Sequence, residues 1–130
     1  MIVVDASVLI ELVLRSKIAP SIEKRLFAQR QVLVVPHLVD VEVAQVLRRF
    51  AAKGELGEER GRQALLDLAD LPLARFAHEP LLQRVWQLRH NVTAYDATYI
   101  ALAESLDVPL VTRDAKLAAS TGHDAEVELI

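Results

Sequence analysis

The segment IVVDASVLIELVL, residues 2–14, joins a short apolar run to a helical pattern through a single acid. Its first three residues, at 2–4, are apolar and β-branched without interruption, which is typical of a strand buried on both faces in a parallel sheet. A helix is predicted to follow from about Ser7 to Leu14, with Asp5 at the junction. Because a buried strand leads straight into a helix, the segment favours an α/β architecture.

The same alternation of short strands and helices continues along the chain. Further apolar strands are predicted at residues 32–35, 73–77, 109–112 and 127–130. Helices are predicted at residues 20–30, 38–53, 58–69, 79–89 and 94–106, with a short one from Ala115. Strands that alternate with helices predict a mainly parallel sheet. No change of composition marks a linker, so we expect one domain over residues 1–130.

Composition excludes several classes of protein. The chain has no cysteine, which rules out disulfides, thiolate metal sites and a cysteine nucleophile, and a reducing cytoplasmic location is expected. The formal net charge of −3 gives no bulk attraction to nucleic acid, so a polyanionic substrate needs a local basic patch or a metal ion. No secretory leader and no apolar run of the ~20 residues that a membrane span requires is found, so we expect no membrane association.

Four acids stand where open parallel sheets bind ligands, which is beyond the carboxyl ends of the strands. They are Asp5 after the first strand, Glu42 in the helix that follows the second, Asp96 in the first turn of the helix at 94–106, and Asp114 two residues after Thr112. Three of them also fit a structural role. Asp5 and Asp114 suit helix N-caps, and Thr93 with Asp96 forms the T-x-x-D pattern of a capping box. Both interpretations stay open for these three acids.

Glu42 and Asp96 each lie on an apolar helix stripe. Glu42 stands between Val39 and Val46, and Asp96 precedes Tyr99 by three residues. Nearly buried carboxylates are rare unless they are paired or bound to a metal. Two carboxylates roughly 4 Å apart repel by about 4 kcal/mol at an effective dielectric of about 20, and a divalent cation offsets that repulsion. An all-oxygen site favours Mg²⁺ or Mn²⁺ over Zn²⁺. Spacing alone does not show that the four carboxylates meet.

Four segments, in this order, resemble the PIN-domain ribonucleases. They are VVDASVLIE at 3–11, VEVAQVLRR at 41–49, TAYDATYIALAE at 93–104 and PLVTRDAKL at 109–117. The similarity spans nearly the whole chain, and the compact size resembles the VapC-type toxins of toxin–antitoxin pairs. The resemblance implies a three-layer α/β/α fold with a mainly parallel central sheet.

The resemblance also implies an activity and a set of site residues. The family's acidic metal ligands fall on Asp5, Glu42, Asp96 and Asp114, and its hydroxyl positions fall on Ser7 and Thr112. The family pattern implies an Mg²⁺-dependent endoribonuclease, with Mn²⁺ as the alternative ion, that cleaves RNA through a metal-activated water. It further implies a homodimer and a cognate antitoxin protein as partners.

An RNA substrate also needs positive charge near the acids. Arg113 and Lys116 flank the fourth acid, and we expect them to contact phosphates. Arg89 and His90 precede the helix at 94–106 and are interpreted as solvated surface. Trp86 lies in an apolar helical pattern and is interpreted as core or interface rather than as a platform for a base.

The apolar content provides a separate argument for a partner. Fifty-two per cent of the residues are apolar, above the usual ~45–50%, and residues 7–14 are apolar almost all round. A dimer face or an antitoxin groove accommodates this excess, and so does a thick core.

Two other enzyme classes with a similar first strand or size lack a residue that their site requires. A haloacid-dehalogenase-type phosphatase needs a second Asp where Ser7 stands, and a response-regulator receiver needs an Asp where the second strand ends in Pro36. The remaining alternative is a non-catalytic protein-binding module whose acids serve only as helix caps.

Overall fold

The computed structural model describes all 130 residues, Met1–Ile130. Its five strands are β1 (Ile2–Val4), β2 (Leu33–Pro36), β3 (Leu73–Phe76), β4 (Leu110–Thr112) and β5 (Val127–Leu129). Its helices are α1 (Ala6–Val13), α2 (Ala19–Phe27), α3 (Leu38–Ala52), α4 (Glu58–Asp70), α5 (Leu82–Gln87), α6 (Ala94–Leu106) and α7 (Ala115–Ala118), with a 3₁₀ turn at Glu79–Leu81. None of the helices combines the length and the apolarity needed to cross a membrane.

The five strands form one sheet in the order β3-β2-β1-β4-β5, and every pair of neighbours is parallel. The strands β1, β2 and β4 are buried throughout, while β3 is half-buried along its length. Continuous apolar runs therefore mark the strands that helices cover on both faces. The predicted three-layer α/β/α fold with a parallel central sheet is confirmed.

Most predicted elements are found within one residue of their predicted ends, and two differ more. The predicted helix at 20–30 ends at Phe27. The predicted helix at 79–89 is divided into the 3₁₀ turn and the short α5. Pro80 lies inside that turn, where its missing N–H is tolerated because the first turn of a helix has no acceptor for it.

Helices α1 and α6 lie at the centre of the hydrophobic core. In α6 every residue from Ala97 to Ala103 is buried, and in α1 Val8, Leu9 and Val13 are among those buried. The core therefore accounts for the apolar residues at 7–14, which removes them as an argument for a dimer face. Trp86 was predicted to lie in the core or at an interface. The core prediction is wrong, because the residue is 67% exposed, and the interface stays a prediction.

The sheet register determines where the acids lie. Val4 of β1 pairs with Val111 of β4, so the residues that follow them, Asp5 and Thr112, are neighbours at the carboxyl edge. The Asp5 amide donates to the Val111 carbonyl at 3.3 Å, which extends the ladder to the site. The adjacent central strands β1 and β4 thus place Asp5 and Thr112 side by side at the carboxyl edge of the sheet.

Helix α3 is fixed at its start by contacts from the segment around β3. The Leu38 amide donates to Nε2 of His78 at 2.7 Å, which caps the helix. Arg75 of β3 binds Asp40 with two hydrogen bonds of 2.8 Å each. These contacts hold the first turn of α3 and thereby the position of Glu42 one turn further along.

Candidate acidic site at the carboxyl edge of the sheet

The Asp5 carboxylate is held at both of its oxygens. Ser7 Oγ donates to Oδ1 at 2.5 Å, and Thr112 Oγ1 donates to Oδ2 at 2.5 Å. The Val8 amide donates to Oδ1 at 3.4 Å, so Asp5 also caps α1. The residue is only 6% exposed. Asp5 is therefore buried with its carboxylate in a single orientation.

Backbone amides fix the direction in which the two hydroxyls donate. The Arg113 amide donates to Ser7 Oγ at 2.9 Å, and the Asp114 amide donates to Thr112 Oγ1 at 2.9 Å. Because each hydroxyl oxygen already accepts an amide proton, its own proton is directed toward Asp5. The predicted hydroxyl residues thus hold the first acid in place.

Glu42 is oriented by a residue that the sequence analysis placed only on an apolar stripe. Tyr99 OH donates to Glu42 Oε1 at 2.6 Å, and Tyr99 is 1% exposed. Burial, followed by the negative charge of Glu42, raises the pKa of Tyr99 far above its ordinary value, so the phenol remains a donor. The available signal was the three-residue spacing from Asp96, which places both side chains on one face of α6.

The Asp96 carboxylate has no hydrogen-bond partner in the chain. Thr93 caps α6 by accepting a hydrogen bond from the Asp96 amide at 3.2 Å. The return contact of a capping box, from the Thr93 amide to the Asp96 carboxylate, is not formed. Asp96 is nevertheless half-buried, so its oxygens are partly removed from water and remain available to a ligand.

Asp114 is exposed and caps α7, accepting from the amides of Lys116 at 2.9 Å and Leu117 at 3.4 Å through Oδ1. Helix capping thus accounts for Asp5 and Asp114. It accounts for neither Glu42 nor Asp96.

The four acids act on one another electrostatically. Burial is the main cause that raises the pKa of Asp5, of Glu42 and of Asp96. The charges of Asp5 and Asp96 raise the pKa of Glu42 further, and those of Asp114 and Asp5 raise that of Asp96. None of the ion pairs in the structure reaches any of the four. The cluster therefore holds negative charge without a fixed cation beside it.

This set of donors fits a hard divalent cation. Carboxylate oxygens are the ligands that Mg²⁺ and Mn²⁺ prefer. No three of the acidic or histidine side chains are close enough here to hold one ion together. Mg²⁺ usually keeps several waters and is bound directly through only one or two carboxylates. A site in which the other acids contact the ion through its waters is therefore consistent with Mg²⁺.

The two cations predicted to contact phosphates differ in their surroundings. The Arg113 guanidinium donates to the Ile130 carbonyl at 3.2 Å and lies 3.8 Å from Glu11. The Lys116 ammonium has no ion-pair partner and lies close enough to Asp96 to lower its pKa. Of the two cations beside the acids, Lys116 is thus the one whose charge is not already paired within the chain.

Comparison with known proteins agrees with this arrangement. Residues 2–121 match the PIN domain family. Ribonuclease VapC1 of Mycobacterium tuberculosis is 45% identical over 129 residues, covering 98% of this chain and 96% of that protein. Ribonuclease VapC12 of the same organism is 38% identical over 130 residues, covering 100% of this chain and 99% of that protein.

Solved structures share the fold. PAE2754 of Pyrobaculum aerophilum superposes with a TM-score of 0.74 at 25% identity, covering 97% of this chain and 81% of that one. VapC20 of Mycobacterium tuberculosis, a sarcin-ricin loop cleaving toxin, superposes with a TM-score of 0.67 at 20% identity. The superposition covers 92% of this chain and 94% of that one. With its sheet order, its acidic cluster and these relatives taken together, the chain belongs to the PIN-domain family and, within it, to the VapC group.

Proposed function

We propose that this chain is a divalent-metal-dependent endoribonuclease, using Mg²⁺ or Mn²⁺, and that it is the toxin of a toxin–antitoxin pair in the cytoplasm. The observation that carries the proposal is that Glu42 and Asp96 bring half-buried carboxylates to Asp5 with no cation paired to any of them. Helix capping gives no reason for either residue. Relatives named ribonuclease VapC over nearly the full chain support the same activity.

In this proposal the four acids have two different roles in binding the ion. Asp5 and Asp96 bind it directly or through water, while Glu42 and Asp114 complete the negative ring. A bound divalent cation lowers the pKa of a water and neutralises charge on the phosphate and the leaving oxygen. Ser7 and Thr112 orient Asp5 through their hydrogen bonds, which lower the pKa of its carboxyl group against the larger raising effect of burial.

Lys116 and Arg113 supply positive charge for the RNA backbone. Lys116 is exposed and unpaired beside Asp96, which suits a phosphate that approaches the acids. Arg113 first has to leave its contacts with Ile130 and Glu11. We therefore expect Lys116 to contribute more to substrate binding than Arg113.

The proposed partners are a cognate antitoxin and a second copy of the chain. Exposed Val41 and Tyr95 line a groove of about 400 Å³ that also includes Glu42. An apolar groove beside an acidic site is a suitable surface for a protein that inhibits the enzyme by covering it.

The first prediction concerns cleavage. Asp5→Asn and Asp96→Asn should each lower the rate of cleavage of single-stranded RNA by about a hundredfold or more, because losing even an outer-shell partner of a metal site costs about 10–100-fold. The measurement is cleavage of labelled RNA in Mg²⁺ or Mn²⁺, with EDTA as the blank. Glu58→Gln, an exposed acid on α4, is the control and should cleave normally. Near-normal cleavage by both site variants would refute the metal assignment.

The second prediction uses the sign of a stability change. Asp96→Asn should raise the Tm of the metal-free protein by about 3–5 °C, which corresponds to roughly 1 kcal/mol. A carboxyl group whose pKa is raised by folding destabilises the protein as the pH rises through that pKa. The gain should therefore be largest at neutral pH and shrink on acidification. Thermal denaturation in EDTA at several pH values measures it.

Metal ions and a control variant complete this test. Saturating Mg²⁺ should stabilise the wild type by mass action and abolish the advantage of Asp96→Asn. Glu58→Gln removes an acid from the first turn of α4 and should lower the Tm slightly with or without metal, because it loses only a helix-dipole interaction. If Asp96→Asn also lowers the Tm in EDTA, the capping alternative and a non-catalytic module are favoured instead.

The third prediction concerns Tyr99. The phenol of Tyr99 donates to Glu42, and this hydrogen bond lowers the pKa of Glu42. Tyr99→Phe removes the bond, so the pKa of Glu42 should rise further. We expect kcat/KM at neutral pH to fall about 10–100-fold, and the acidic limb of its pH profile to move to higher pH. Thr98→Val removes a buried hydroxyl from the same helix, one that donates only to the Ala94 carbonyl. This control should leave the pH profile unchanged, and an unchanged profile for Tyr99→Phe would contradict the role given to Tyr99.

A further inference from the structure

A polar cleft of about 640 Å³ has Asp96 in its lining and none of the other three acids of the cluster. It lies between the segment that precedes α6 and helix α7, and Arg89, His90, Asn91 and Lys116 are among its lining residues. Its volume is in the range of about 300–1,000 Å³ that is usual for ligand sites. Most of the residues that line it are polar, which distinguishes it from the apolar core of a protein interface.

The cleft carries positive charge on a protein whose net charge is −3. Asp96 is the only acid that lines it, while Arg89 and Lys116 line it as cations. Neither cation takes part in an ion pair. Two unpaired cations along a path that leads to a proposed metal site are suited to successive phosphates of a nucleic-acid strand.

An exposed aromatic ring lies beside the cleft. The Arg89 guanidinium lies 4.4 Å from the centre of the Trp86 ring, and its Nη1 donates to the Trp86 carbonyl at 2.9 Å. The indole is 67% exposed, so the core does not explain it. Proteins that bind single strands combine a cationic groove with exposed aromatic rings on which bases stack.

One wall of the cleft is set by close packing. Gly122 has a φ of +87°, and a Cβ there would lie 2.7 Å from the Asn91 side chain. The loop after α7 therefore packs its backbone directly on the segment between Trp86 and α6. This backbone conformation favours glycine, and a larger residue at position 122 would also have to displace the side chain of Asn91, which lines the cleft.

We propose that this cleft binds single-stranded RNA next to the phosphate that is cut. Arg89 and Lys116 bind phosphates, and Trp86, which contacts Arg89 beside the cleft, stacks on a base. The inference rests on the proposed ribonuclease function and adds to it the residues that hold the strand. It also requires the substrate to be unpaired at this point, because a paired base cannot offer its face to the indole.

The chain has a single tryptophan, which makes the test direct. Titrating the metal-free wild type in EDTA with a short single-stranded RNA should change the tryptophan fluorescence in a saturable way. The same strand made with abasic nucleotides should bind more weakly and leave the fluorescence nearly unchanged. A duplex of the same sequence should also fail to alter it.

Variants then separate stacking from charge. Anisotropy of labelled RNA should show about tenfold weaker binding for Trp86→Leu and much less weakening for Trp86→Phe, which keeps an aromatic ring. Arg89→Gln and Lys116→Gln should each reduce the slope of log Kd against log salt by about 0.7. Arg30→Gln, an exposed cation after α2 and before β2, should change neither value.

The outcomes distinguish this inference from the proposed function. If the wild type cleaves RNA while Trp86→Leu, Arg89→Gln and Lys116→Gln bind and cleave it normally, the inference is overturned and the ribonuclease stands. If RNA alters the fluorescence as expected but no metal ion supports cleavage, RNA binding in the cleft is supported and the proposed ribonuclease activity is refuted. If only a protein partner alters the fluorescence, the cleft is a protein-docking surface and the inference is wrong.

Discussion

Repulsion among the carboxylates of Asp5, Glu42 and Asp96 is the physical constraint on which the rest of this site depends. A rigid support is needed to keep these charges close, and the fold provides it through adjacent parallel strands and through α6, in which every residue from Ala97 to Ala103 is buried. Hydroxyl donors hold Asp5 and a phenol holds Glu42. Asp96 alone of these three is left without a donor, and the proposed cation would offset its charge.

The course of the chain could be predicted from the sequence because buried parallel strands and capped helices leave local signals. The strand at 2–4 is an uninterrupted apolar run, and Gly54 ends α3 in the left-handed region with a φ of +74°. The break in the helix predicted at 79–89 was not visible, because a 3₁₀ turn and an α-helix share the same apolar spacing over so few residues. Strand order follows from pairing between distant segments, which spacing along the chain does not encode.

The sequence predicted four acids at the strand ends and two hydroxyl residues, which the structure shows bonded to Asp5, but it did not predict the contact that orients Glu42. Tyr99 has the spacing of a core residue, and only the fold shows that its hydroxyl meets Glu42 fifty-seven positions away in the sequence. Trp86 has the same apolar pattern, yet its helix is at the surface and exposes it. A periodic pattern indicates that a face is apolar, but it does not tell which polar atom at the end of a side chain finds a partner.

Anomalous diffraction from crystals soaked in Mn²⁺ tests the central claim most directly. The account predicts a manganese peak inside the ring of Asp5, Glu42, Asp96 and Asp114, either bonded to a carboxylate oxygen of Asp5 or Asp96 at roughly 2–2.3 Å or joined to it through one bound water. Manganese peaks found only elsewhere on a well-ordered protein, with these carboxylates in their present positions and unbound, would contradict it.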